Sequence, residues 1–157
     1  MHLLPAVAAL LMTLAVASYA EPPLSSFAAK AIQNHSVPDG LGAVFVQASD
    51  ACGLDRSAVE RMVDGVLIRS RIEKESLVSA LGLWVDAWCI AAGPDNNAIV
   101  YYVTAEFVYL DGEARVTVRE TYNGGLGLVF DSSDVFDVLK TSVEDATIDF
   151  IYAHSQE

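Results

Sequence analysis

The chain has 157 residues and a formal charge of −12, from 21 acidic residues against 9 basic ones. A field of that sign repels nucleic-acid phosphates and anionic lipid headgroups, which excludes nucleic acid and favours a basic protein partner, a cation or a cationic ligand. The length suits one domain with its own core.

The chain opens MHLLPAVAALLMTLAVASYAEPP, an apolar run over residues 3–16 followed by Ser18-Tyr19-Ala20. This is the pattern of a secretory signal peptide, residues 1–20, cleaved after Ala20, with Ala15-Val16-Ala17 as a rival site. The run is short for a membrane span, and no later apolar run is long enough to be one, so no integral membrane segment is expected after signal removal. The first cysteine is Cys52, far from either cleavage site, so no lipid anchor on cysteine is indicated. The expected address is exported, either periplasmic or extracellular.

Residues 21–40 mix prolines and serines with a helix-capable piece at 27–33. They read as an N-terminal arm or a short docking helix ahead of a single domain at 41–157. Asn34-His35-Ser36 is a glycosylation sequon in a eukaryotic source. A first strand follows around Val44, Phe45 and Val46. Beyond Cys52 the period changes. Val59, Met62, Val63, Val66 and Leu67 take the i, i+3, i+4 spacing of one helical face, with Asp55 or Ser57 as cap and Ser57-x-x-Glu60 as a capping box. RSRIEKES, residues 69–76, then reads as a polar loop.

LGLWVDAWCIAA, residues 81–92, alternates. Leu83, Val85, Ala87, Cys89 and Ala91 share one face, and Trp84, Asp86, Trp88 and Ile90 share the other. Both faces are largely apolar, which predicts a strand that is central or covered twice. GPDNN makes a turn. Two alternating runs then flank Asp111-Gly112 and read as a hairpin with a two-residue turn. That register sets Leu110 against Glu113, Phe107 and Ala105 against Val116 and Val118, Val108 against Arg115, Glu106 against Thr117 and Thr104 against Arg119. NGGLGLVF offers a last short strand or a glycine bend. Asp131-Ser132-Ser133 caps a final helix with Val135, Leu139, Val143, Ala146 and Phe150 near one face. The order predicts an α+β fold, an antiparallel sheet of about four strands with two main helices on one face.

Two cysteines in an oxidising compartment predict a Cys52–Cys89 disulfide. The bridge closes a loop of about 36 residues, which the chain-entropy model values at roughly 4 kcal/mol. No H-E-x-x-H, C-x-x-C or G-x-S-x-G is present, and the glycines of NGGLGLVF match no phosphate-binding pattern, so no catalytic residue, metal site or cofactor is assigned. The candidate binding residues are Trp84, Asp86 and Trp88: on an exposed strand face they form an aromatic patch with an acidic centre, suited to a cation or basic side chain.

The sequence CGLDRSAVERMVDGVLIRSRI, the long hairpin and the terminal DFIYAHSQE are similar to small exported bacterial α/β proteins over residues 41–157. The resemblance implies a periplasmic or secreted setting and transfers no functional residue. The leading functional reading is a non-enzymatic exported accessory protein that binds a basic macromolecule. The alternative is a small secreted hydrolase using carboxylates, with Asp86 as the acid. A third reading is a carrier of a small apolar ligand between sheet and helix.

Overall fold

The computed structural model describes residues 24–38, 40–76, 80–111, 113–118 and 123–155. The signal segment, Gly112 of the hairpin turn and the Thr104–Arg119 pairing lie outside the described residues. In chain order the elements are α1 (Ser26–His35), β1 (Gly40–Leu41), β2 (Ala43–Ala48), a 3-10 turn (Asp50–Cys52), α2 (Arg56–Arg69), β3 (Glu73–Lys74), β4 (Gly82–Ala92), β5 (Ala98–Asp111), β6 (Ala114–Thr117), β7 (Asn123–Val129) and α3 (Ser132–His154).

The α+β class predicted by the pattern is the class observed, but the sheet is mixed rather than wholly antiparallel. Its order is β2-β4-β5, with β6 and β7 both pairing the far side of β5. β2 runs parallel to β4, with Phe45 beside Trp84 and Gln47 beside Asp86. The physical reason is the intervening helix: α2 carries the chain back along the sheet, so the next strand enters in the same direction. A second short parallel pair joins β1 to β3, and β3 lies inside the stretch read as a polar loop.

The hairpin also differs in register. Its last pair is Asp111 with Ala114, which sets Leu110 against Arg115 and Val108 against Thr117. Phe107 accepts the Val118 N–H at 2.9 Å. Moving the turn by one residue shifts every pair by two positions and leaves each side chain on its predicted face. Alternation is blind to such a shift.

Helix starts are set by side-chain caps. Asp55 accepts the Ser57 N–H at 3.1 Å, so α2 begins at Arg56 and Ser57 lies inside its first turn. The capping box therefore does not form, and Glu60 pairs with Arg56 at 2.9 Å instead. Asp131 caps α3 through the Ser133 N–H at 2.7 Å. The Ser133 backbone and hydroxyl hold its carboxyl below the usual carboxylate value.

Leu83, Val85 and Ala87 of β4 and Val103, Ala105 and Phe107 of β5 point to one side and are buried with Val59 and Val63 of α2 and Val135, Leu139 and Val143 of α3. α1 lies on α3, burying Ala28 and Ile32, with Gln33 donating to the Ala153 carbonyl at 2.6 Å. Cys52 and Cys89 are joined across a separation of 37 residues, tying the turn after β2 to β4. Among the described residues no helix is long and apolar enough to cross a membrane.

Candidate functional site

The three helices of the described residues gather on one side of the sheet, and on its other side Trp88, Ile90, Tyr102, Leu126 and Leu128 are exposed while Thr104 and Val108 are buried. Cross-strand register arranges these residues in rows. Trp88, Tyr102 and Leu126 form one row, and Ile90, Val100 and Leu128 the next. Trp88 is 53% exposed, Leu126 74% and Phe130, just past β7, 73%. Monomeric soluble proteins rarely leave contiguous apolar patches of this kind in water without a use for them.

The next rows change character. Gln47, Asp86 and Thr104 lie side by side, then Phe45, Trp84 and Glu106. Trp84 is half-buried, 5.3 Å from Phe45 between ring centroids. The Arg115 guanidinium lies over its ring at 4.2 Å. Phe45, Trp84, Leu110 and Arg115 contribute to a cavity of about 390 Å³ at this end. The observed hairpin register, which moves Arg115 opposite Leu110, belongs with this stacking.

Asp86 accepts the Trp88 indole N–H at 2.9 Å through Oδ2. Its Oδ1 is covered and has no hydrogen-bond partner among the described residues. Burial pushes the Glu106 carboxyl above the usual value, Arg115 pulls it back and Asp86 pushes it further up. On the helix side, burial likewise raises Asp149 against a hydrogen bond from Asn123, with Asp145 adding to the rise. The hydrolase reading puts its acid at Asp86, and Glu106, whose carboxyl is raised by burial, lies on the same face. The core side chains already named line the space between sheet and helices, where the carrier reading puts a ligand. Among the described residues no group of three or more His, Cys, Asp or Glu side chains is placed to hold a metal ion.

No family model matches this chain. No curated protein matches it either. Solved structures similar to it include two lipoproteins. A minor lipoprotein from Acinetobacter baumannii has a TM-score of 0.36 at 9% identity, covering 76% of this chain and 96% of its own. The rare lipoprotein B from Shewanella oneidensis has a TM-score of 0.31 at 12% identity, covering 73% and 94%. At such scores the likeness is loose, and nothing about this chain's fold or role rests on it.

The structure places Trp84, Asp86 and Trp88 on one face, with Trp88 the outermost of the two indoles. Sequence reasoning missed most of the surface around them. Tyr102, Val100, Leu126 and Leu128 join it only through pairing across three strands. The available signal was that β4 and β5 alternate with apolar residues on both parities, while the chain holds only enough helix to cover one.

Proposed function

We propose that this chain is an exported, non-enzymatic binding protein whose uncovered sheet face docks a basic protein partner in the cell envelope or outside the cell. The observation that carries the reading is the two-row apolar surface running from Trp88 to Leu128, bordered by carboxylates. Apolar rows supply burial on docking, at roughly 25 cal/mol per Å² of apolar area removed from water. Asp86 has no ion-pair partner within 4.0 Å among the described residues. It shares the border with Glu106, whose carboxyl feels the charge of Arg115. Basic side chains on the partner complete this arrangement, and the −12 charge of the whole chain steers them to it. The Cys52–Cys89 bond supports an oxidising compartment.

The test compares the purified wild-type chain with the double variant Trp88→Glu/Leu126→Glu as bait for envelope extracts at low salt. The expected result is a basic protein retained by the wild type, released by salt and absent from the variant. Equal retention by both proteins, or no basic protein on either, sinks the reading.

A further inference from the structure

β2 is the end strand of the sheet and pairs only with β4 among the described residues. The Ser49 N–H just after it donates to the Ala87 carbonyl at 2.9 Å. In a parallel ladder the direction of backbone bonding alternates, so Gln47 and Phe45 also bond toward β4. Val44, Val46 and Ala48 then turn their N–H and C=O groups outward.

Proteins guard such an edge with charge, proline, a bulge or a covering element. The sequence of β2, AVFVQA, has neither a charge nor a proline. Instead the edge borders a groove of about 530 Å³, walled on the helix side by α2 and by Lys74. The wall's charges are paired with one another, Arg56 with Glu60 at 2.9 Å and Lys74 with Asp64 at 2.6 Å, all of them exposed. Exposed pairs of this kind hold little energy and open readily. The opposite edge, at β7, carries Gly124, Gly125 and Gly127, whose extra backbone freedom makes it a poorer template.

We propose that the basic partner docks by adding an extended strand to β2 within this groove, a mode that rests on the binding role assigned to the sheet face. An added strand continues the existing rows. One row becomes partner, Gln47, Asp86, Thr104, and the next becomes partner, Phe45, Trp84, Glu106. A lysine or arginine at the first of these positions leans over Gln47 toward Asp86, which has no ion-pair partner among the described residues. Charge complementarity therefore selects a basic strand, and the main-chain ladder supplies affinity that depends little on the remaining sequence.

The experiment uses two synthetic peptides of identical lysine and valine content, one strictly alternating and one patterned at helical spacing. Binding is read by Trp fluorescence, and site-resolved amide hydrogen exchange is followed on the full mature chain. The expected result is that the alternating peptide binds tighter and that the Val44, Val46 and Ala48 amides become protected. Val46→Pro, which removes an outward N–H without touching the β4 ladder, is expected to weaken binding roughly ten-fold. Where that variant fails to fold, the exchange pattern of the wild type decides. Equal binding of both peptides, lost in Trp88→Ala but with the β2 amides unprotected, overturns strand addition and leaves the face reading standing. Protection on β7 in place of β2 also overturns it. Failure of both peptides to bind overturns both readings.

Discussion

Trp88 and Asp86 act as a unit at the centre of the exposed face, because the indole N–H and carboxylate hold each other in position. Trp88→Ala is expected to cost at most about 1 kcal/mol in stability, since half of the ring is already in water, while weakening partner binding by ten-fold or more. Chemical denaturation and titration with the partner separate the two effects, and a large stability loss with unchanged binding contradicts the assignment. Glu106 gives a prediction in pH. Folding raises its pKa through burial, so its contribution favours the folded state at low pH and is lost as pH rises through the raised value. Glu106→Gln is therefore expected to melt at a higher temperature than the wild type at neutral pH, with the advantage vanishing below about pH 4. Melting curves that differ equally at both pH values refute this sign.

Among the elements, β4 does the most positioning. It is flanked by β2 and β5, presents Leu83, Val85 and Ala87 to the helices, and is pinned by Cys89 to the turn after β2. Removing the bridge with Cys52→Ala/Cys89→Ala is expected to lower unfolding free energy by roughly 3–4 kcal/mol, read from the urea midpoint. An unchanged midpoint means that the crossover is held by packing alone. β7 depends on a missing side chain. A Cβ at Gly127 sits 2.6 Å from the Tyr101 hydroxyl and 2.8 Å from its ring, so the ring packs across the glycine. Gly127→Ala is expected to displace Tyr101 and cost about 1–3 kcal/mol, in the range of other overpacking substitutions. A crystal structure of that variant with Tyr101 unmoved contradicts the prediction.

For the whole molecule, the three helices of the described residues lie on one side of the sheet, and in the proposed docking the net charge of −12 favours a basic partner. Association is expected to slow as ionic strength rises from about 0.05 to 0.5 M, because screening shortens the reach of the field, while dissociation, governed by the apolar rows, changes little. Stopped-flow measurement of both rates checks this, and a salt-independent association rate removes charge steering from the account.

The sequence by itself determined the α+β class, the faces of β4 and the hairpin strands, the helix that carries Val59, Met62, Val63, Val66 and Leu67, the final helix, and the Cys52–Cys89 bond. These follow from periodicity, capping chemistry and compartment, all of which act over short stretches or on pairs of residues with few alternatives. It did not determine the parallel entry of β2, the hairpin register, the pairing of β1 with β3 or the docking of α1 on α3. Alternation is unchanged by a two-position shift, and strand direction depends on how a distant helix returns the chain. Tertiary structure alone also decided which apolar face of the sheet stays open. Both parities of β4 carry hydrophobic side chains, and the gathering of the described helices on one side leaves Trp88, Tyr102 and Leu126 exposed.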